Sequence, residues 1–328
     1  MSNLSDLELA IGRTLAYFDV FDYPLTVREL RRWLYPTSGG QVSDVGSRKW
    51  AIEDVERALT EEPLRLMIGR QGDFVFLAGR QAIVEVRQQR ARENERKWKR
   101  AMTTARYLEL VPFVKMVAVV NTLAINNARP ESDIDVLVVT VPGHLWMARL
   151  LVTGIVSMLG YRRHGRKITN RVCLSFYITT DTLNLESLKS IDQPDTHFAF
   201  WTAQAVPLLN IDGTYERYVR DNVWVNQLLP NAWQWNWAAR VLPPNPGWRS
   251  IKKLYEMFFA TPIGWWLESW ARERQMKKMA KNVTSKSKAP TTDVIISDEV
   301  LKFHEEDRRR KYNQAFVEKL RSLGIEPF

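Results

Sequence analysis

Residues 121–136 read NTLAINNARPESDIDV; they follow one short β-branched run, 114–120, and end inside a second, 134–139. These runs predict two neighbouring strands joined by a turn-rich segment. Asp133 and Asp135 stand at the start of the second strand. Because side chains alternate along a strand, both carboxylates are expected on the same face. Two carboxylates one strand step apart suit Mg²⁺, a hard cation that binds one or two acids together with substrate phosphates.

The segment resembles the signature of the polymerase-β-type nucleotidyltransferase superfamily. In that signature an apolar strand leads to Gly-Ser, a loop follows, and an Asp-apolar-Asp strand closes the pattern. In small bacterial members it reads roughly G-S-x-A-x-G-x-x-x-x-x-S-D-I-D, which aligns with residues 121–135 without gaps. The matching positions are Thr122 at the serine position, Ala124, Ser132, Asp133, Ile134 and Asp135.

The resemblance implies an α+β fold in which a small mixed sheet with helices on one side carries the site, over residues 113–178. It also implies transfer of a nucleoside monophosphate from an NTP to a hydroxyl, with Mg²⁺ or Mn²⁺ held by the two aspartates. Asn121, Thr122 and Ser132 would lie at the nucleotide phosphates. The acceptor would be an RNA end, a protein or a small molecule, and some members of the superfamily act in toxin–antitoxin pairs.

Both glycines of the signature are asparagines here, Asn121 and Asn126. Asparagine is the non-glycine residue that most readily adopts the left-handed backbone region, so the turn is expected to persist. The alternative to a metal site is a structural pair of acids whose charges are satisfied by turn amides or by Arg129.

The superfamily's third carboxylate has no counterpart on the next predicted strand, 172–178. Cys173, Ser175 and Tyr177 occupy the face where an acid is expected, and Asp181 would serve only in a different register. This departure leaves a second hypothesis open, in which the chain is catalytically degenerate and binds nucleotide or nucleic acid in a regulatory or docking role.

The connection 161–171 carries five bases and no acid. Lys167 and Arg171 lie nearest the following strand and are the candidates for contacts to a triphosphate or to RNA, since Lys and Arg neutralise phosphoryl charge. A solvated basic loop is the alternative.

Residues 1–80 read as three helices followed by a hairpin, and this order resembles a winged helix-turn-helix. The third helix mixes Arg48, Lys49 and Arg57 with three acids. The pattern therefore indicates, at most, weak DNA binding. The predicted elements are helices over 4–18, 26–33 and from 47, and hairpin strands at 66–68 and 74–77.

The rest of the chain is expected to be largely helical outside the central α/β region. A charged helix at 81–110 carries eight bases between residues 80 and 100. It is interpreted as a solvated face, with a basic flank beside a nucleotide cleft as the alternative. The predicted divisions are 111–190 (nucleotidyltransferase-like), 191–281 (tryptophan-rich and helical), 282–292 (flexible linker) and 293–328 (C-terminal helix).

Thirteen tryptophans are unusual for 328 residues, and eight of them fall between residues 224 and 270. Packing within a helical domain is the favoured interpretation. Contact with a membrane is not the expected role, and a base-stacking platform for single-stranded nucleic acid is a further alternative.

Composition narrows the class of protein. The net charge of +10 favours an anionic partner but does not identify one. A single cysteine excludes an internal disulfide framework and a cysteine-rich zinc site. The first residues also lack the basic start and apolar run of an export signal. A cytoplasmic protein is therefore expected.

Overall fold

The structure, a computed structural model, describes residues 4–36, 50–190, 195–280, 294–303 and 308–327. Its N-terminal part holds a three-stranded antiparallel sheet in the order β1-β3-β2, surrounded by short helices. The elements are α1 (Asp6–Asp19), β1 (Leu25–Thr26), α2 (Val27–Arg32), α3 (Ile52–Ala58), α4 (Leu64–Met67), β2 (Ile68–Gln71) and β3 (Phe74–Leu77).

Local sequence signals explain where these elements begin. At the predicted capping box, the Thr26 hydroxyl accepts from the Glu29 N–H, and the Glu29 carboxylate accepts from the Thr26 N–H at 2.8 Å. The hairpin is confirmed, with Ile68 opposite Leu77. The structure corrects its first strand, because residues 66 and 67 belong to α4. The third helix begins at Ile52, and residues 37–49, which include Arg48 and Lys49, lie outside the described residues.

A second, six-stranded sheet and most of the helices follow, together with 3₁₀ turns at Glu186–Leu188, Val223–Gln227 and Trp237–Arg240. The strands are β4 (Val114–Val119), β5 (Ile134–Thr140), β6 (Val172–Thr179), β7 (Val206–Asn210), β8 (Val294–Ile296) and β9 (Val300–Phe303). The helices are α5 (Ala82–Leu108), α6 (Asn121–Ala124), α7 (Leu145–Met158), α8 (Thr196–Ala203), α9 (Thr214–Asp221), α10 (Pro246–Phe259), α11 (Pro262–Ala280) and α12 (Arg309–Ser322).

The strand order of the larger sheet is β7-β4-β5-β6-β9-β8, and its pairs are antiparallel except for β5 with β6. The α+β class is therefore confirmed, but two helical expectations are wrong. Residues 206–210 form an edge strand, where Pro207 is tolerated because an edge leaves one side of the strand unpaired. Residues 294–303 form a hairpin ahead of the last helix, and the predicted linker 282–292 lies outside the described residues.

Helices cover the larger sheet on both faces, which corrects the expectation of helices on one side. Leu137 and Val139 of β5 point into a core shared with α1, α8 and α12. Val136 and Val138 point into a second core shared with α5, α7 and α11. All four side chains are buried. Alternate residues of β5 therefore contribute to two hydrophobic cores, one on each face of the sheet.

The first of these cores joins the N-terminal elements to the sheet. The Tyr17 ring of α1 stacks on Phe200 of α8 with centroids 3.8 Å apart, and Phe316 of α12 meets Tyr17 edge-on. The Arg13 guanidinium also donates to the carbonyl of Glu326, 313 residues away in sequence. The two ends of the described chain therefore pack together.

The tryptophans divide into two groups. Trp224 is buried, and Trp233, Trp235 and Trp237 pack against the cores, as the packing interpretation predicts. That interpretation is wrong for Trp265, Trp266 and Trp270 of α11, whose exposed fractions are 62%, 65% and 42%. Within the described ranges, no helix combines the length and the apolar character that crossing a bilayer requires.

Replacing Phe316 by alanine is expected to lower the free energy of unfolding by about 3–5 kcal/mol, because the ring is fully buried between α1 and α8. Phe258→Ala is the matched control, since that ring is exposed, and its effect should stay within about 0.5 kcal/mol. Urea unfolding measures both variants. Equal losses would contradict the packing of α12 described above.

Candidate functional site

The acidic pair lies where the two parallel strands begin. β5 and β6 pair in a register that sets Ile134 opposite Val172 and Asp135 opposite Cys173. One ligand atom from each of Asp133, Asp135 and Cys173 falls within 4.8 Å of the others. The two carboxylates therefore share a face, as the period of two predicts, and the thiol completes a cluster of three.

Besides the Cys173 thiol, which hydrogen-bonds Asp135, two side chains contact the carboxylates. The Asn121 Nδ2 donates to Asp135 Oδ2 at 2.8 Å. Arg163 donates from Nη1 to Asp133 Oδ2 at 2.6 Å and reaches the Cys173 sulfur at 3.6 Å. Burial next to Asp133 raises the pKa of Asp135 to about 6, because a second negative charge is costly there. The site therefore favours a cation.

Cys173 does not supply the missing third charge. Burial and the neighbouring Asp135 raise the pKa of its thiol to about 12, so the sulfur stays protonated near neutral pH. Sulfur is also a soft ligand, whereas Mg²⁺ and Mn²⁺ prefer oxygen. The cluster therefore offers carboxylate oxygens, which suit a hard cation whose remaining ligands come from phosphates or water.

The turn before the strand keeps the backbone that glycine would allow. Asn121 and Asn126 have φ of 59° and 57°, which confirms the prediction that asparagine takes the left-handed region here. Each also uses a side chain that glycine lacks. Asn121 holds Asp135, and the Asn126 Oδ1 accepts from Trp98 Nε1 at 2.6 Å. The carbonyl of Thr122 accepts from the N–H of Asn127, which closes the turn.

Helix α5 fixes the loop that carries the aspartates, and sequence reasoning missed this role. The Lys97 ammonium is buried and donates to three oxygens: Ser132 O at 2.6 Å, Asn170 Oδ1 at 2.8 Å and Pro130 O at 3.1 Å. Arg100 adds a bond to the carbonyl of Asn170. Lys97 and Arg100 therefore donate to oxygens of the loop. They belong neither to a solvated helix face nor to a basic flank beside a nucleotide cleft, the two interpretations offered by the sequence.

A signal for this role exists in the sequence. Lys97 falls on the same helical stripe as Ala101, Thr104 and Leu108, all of which are buried. A lysine at helical spacing on an apolar stripe indicates an ammonium that ends on internal acceptors.

The predicted phosphate contacts occupy different positions. Lys167 is exposed on a turn closed by backbone bonds with His164. The carbonyl of Arg171 accepts from the Ile134 N–H, and among the polar contacts of the described residues its side chain has none to the acids. Arg163 reaches them because its own N–H bonds to the carbonyl of Val172, which places it beside β6. Arg163 belongs to the basic connection 161–171 but is not one of the two residues predicted to contact phosphate, Lys167 and Arg171.

Asp181 lies beyond the far end of β6 from Cys173. Eight residues of strand correspond to about 26 Å, so Asp181 does not reach the acidic pair. Arg129, the alternative partner of the aspartates, is exposed, and the described contacts assign that role to Arg163 and Asn121.

Comparison with known proteins gives no match: no family model, curated protein or solved structure resembles the chain closely enough to register.

Replacing Lys97 by methionine is expected to lower the free energy of unfolding by about 2–4 kcal/mol, because three loop oxygens lose the charged donor that they share. Lys99→Met on the exposed side of α5 is the control and should change stability by less than about 0.5 kcal/mol. Chemical denaturation compares them. Equal stabilities would show that the Lys97 contacts contribute little.

Asp135→Asn is expected to stabilise the metal-free protein by about 1–2 kcal/mol near pH 8, since it removes a charge that the fold disfavours. The pKa of this carboxyl is about 6 in the folded protein against an ordinary 3.8. The folded state therefore binds the proton more tightly, and the wild type loses stability as the pH rises from about 4 to about 6. Unfolding in EDTA across this range measures the gain, which should shrink as the pH falls. A gain that does not vary with pH would contradict the assignment.

Proposed function

We propose that the chain is a nucleotidyltransferase-like protein that binds a nucleoside triphosphate with Mg²⁺ or Mn²⁺ at Asp133 and Asp135. It would transfer the nucleoside monophosphate to a hydroxyl acceptor and release pyrophosphate. The observation that carries the proposal is the carboxylate pair at the start of β5, beside a turn whose Asn121 keeps a left-handed backbone. This is the arrangement that the sequence resemblance leads us to expect.

The residues present fit a divalent cation. The two carboxylates converge, and burial raises the pKa of Asp135, so a positive charge between them would relieve a repulsion already built into the site. A bound cation would supply charge neutralisation for the phosphates and for the leaving pyrophosphate. Asn121 orients Asp135 for this role through its 2.8 Å hydrogen bond.

In this proposal the Arg163 guanidinium takes one position without a bound cation and another with it. Its guanidinium neutralises Asp133 at 2.6 Å in the structure described here. With a cation in place, the same guanidinium would turn to an incoming phosphate, since Arg binds phosphoryl oxygens bidentately. Thr122 and Ser132 border the loop, while Lys167 and Arg171 supply more distant positive charge.

A second candidate function is nucleotide binding without transfer, in a regulatory or docking role. Cys173 favours it, because a protonated thiol stands in register with Asp135 on the strand where the superfamily carries its third acid.

The N-terminal elements would serve either function as a docking module of winged-helix-like arrangement. Two exposed bases near α3 pair with acids, Arg57 with Asp54 and Arg70 with Glu56, so these two offer less charge to a DNA backbone. An RNA or protein acceptor is therefore the preferred partner, in a reducing compartment such as the cytoplasm.

The test incubates the protein with each labelled NTP, with Mg²⁺ or Mn²⁺, and with total RNA and cell protein as acceptors. The wild type is expected to transfer label, and Asp133→Asn/Asp135→Asn should reduce the rate at least about 100-fold, as removal of metal ligands does. Absence of transfer with every metal and nucleotide would overturn the enzymatic proposal.

Cys173→Asp separates the two candidates. If the wild type binds an NTP with metal but transfers nothing, the second candidate holds, and a restored carboxylate at residue 173 is expected to give measurable transfer. Cys173→Ser is the matched control because it keeps the size without the charge. Equilibrium binding of a fluorescent NTP reports the binding step on its own.

A further inference from the structure

We propose that helices α10 and α11 form a surface that binds anionic lipid membranes without spanning them. The surface, called here the aromatic face, comprises six exposed side chains around the corner between the two helices. They are Leu254, Tyr255, Phe258, Ile263, Trp265 and Trp266. This role is independent of the nucleotide site and goes beyond the function proposed for it.

Helix α10 carries its apolar stripe on the solvent side. Ile251, Leu254 and Phe258 follow helical spacing and are about half exposed or more. The opposite side faces the protein, where Lys252 is buried and the Glu256 carboxylate accepts from the N–H of Phe113 at 2.8 Å. In a water-soluble setting the expected orientation is the reverse, with the apolar stripe inward.

Helix α11 also exposes large apolar side chains, in addition to three that pack against the second core, Leu267, Met276 and Met279. Ile263, Trp266 and Trp270 follow helical spacing on the exposed side, and Trp265 adds a fourth large side chain. Its inward side holds Ala271 and Gln275, which are buried. Tryptophan rings prefer the boundary between water and hydrocarbon, because they join an apolar body to a polar N–H.

The corner between the helices is fixed by close backbone contact. A Cβ on Gly264 would lie 1.9 Å from the carbonyl oxygen of Phe259, so only glycine permits this approach. The corner therefore joins the exposed residues of α10 to those of α11 through a close backbone contact that a side chain at residue 264 would not allow.

The charges around the aromatic face are basic. Residues 246–280 contain seven Lys and Arg against three Glu. Two of the three acids are turned inward, Glu256 to Phe113 and Glu268 to the N–H groups of Trp146 and Met147. The exposed bases include Arg249, Lys253, Arg274, Lys277 and Lys278.

The basic charge continues in the sequence that follows, where residues 281–292 contain three lysines and no acid. An apolar patch flanked by bases complements an anionic lipid surface, which attracts each basic residue and accepts the aromatic rings at its boundary.

Other occupants fit less well. A second copy would bring two basic surfaces together and meet like-charge repulsion. The two longest segments outside the described residues, 37–49 and 281–293, are too poor in large apolar residues to cover the patch. Single-stranded nucleic acid shares the negative charge, but the aliphatic Ile251, Leu254 and Ile263 offer no stacking surface for its bases.

Vesicle co-sedimentation tests the proposal with the whole chain. The wild type should bind vesicles of phosphatidylcholine containing about 30 mol% phosphatidylserine, and bind pure phosphatidylcholine more weakly. Trp265→Ser/Trp266→Ser should reduce binding at least about tenfold, because the rings no longer enter the interface. Leu66→Ser/Met158→Ser is the matched control, since both side chains are highly exposed outside the aromatic face, and it should bind like the wild type.

A charge variant gives a second readout. Arg274→Glu/Lys278→Glu should weaken binding to the anionic vesicles and leave the weak binding to neutral vesicles unchanged. Far-UV circular dichroism confirms that each variant is folded. No binding of the wild type to anionic vesicles overturns the proposal. If vesicles are not bound, two results assign the aromatic face to another occupant. One is association of two chains that Trp265→Ser/Trp266→Ser abolishes, and the other is binding to single-stranded RNA.

Discussion

Repulsion between Asp133 and Asp135 is the constraint around which the central region is arranged. Alternation along the start of β5 puts the two carboxylates on one face, the parallel pairing with β6 sets Cys173 beside them, and burial makes the second negative charge unfavourable. The Arg163 guanidinium and the Asn121 amide hydrogen-bond the two carboxylates, and Lys97 holds the loop that carries them. Repulsion between neighbouring carboxylates lowers the stability of a fold. Carboxyl groups with a perturbed pKa are concentrated at sites that bind ligands or catalyse reactions.

Much of the central region could be predicted from residues 114–178. The β-branched runs gave the strands, alternation gave the common face of Asp133 and Asp135, and the asparagines gave the left-handed turn. These features depend on neighbouring residues, which a sequence displays directly. The outer strands were missed because β7 carries a proline and β8 and β9 are very short. Their strand character comes from pairing with distant partners.

The candidate site was predicted less completely than the fold around it. Arg163 contacts its acids from 30 positions away, and no local pattern ranks this arginine above the other bases of 161–171. Lys97 contacts its loop from 35 positions away, and its place on a buried helical stripe indicates an internal ammonium without telling which oxygens it meets. The tryptophans pose the same difficulty. Composition does not distinguish Trp224, which is buried, from Trp266, which is exposed, because helical spacing marks a stripe without telling which side meets solvent.

The order of strands in the larger sheet has a consequence for how the protein is made. β6 completes its pairing only with β9, about 120 residues later, and α12 closes the core against α1 later still. During synthesis at about 5–20 residues per second, the central strands wait many seconds with one edge open. Loop closure over such distances is slow, and an open edge invites pairing with other chains. Truncation before residue 294 would make that transient exposure permanent, so aggregation is the natural fate of shortened forms.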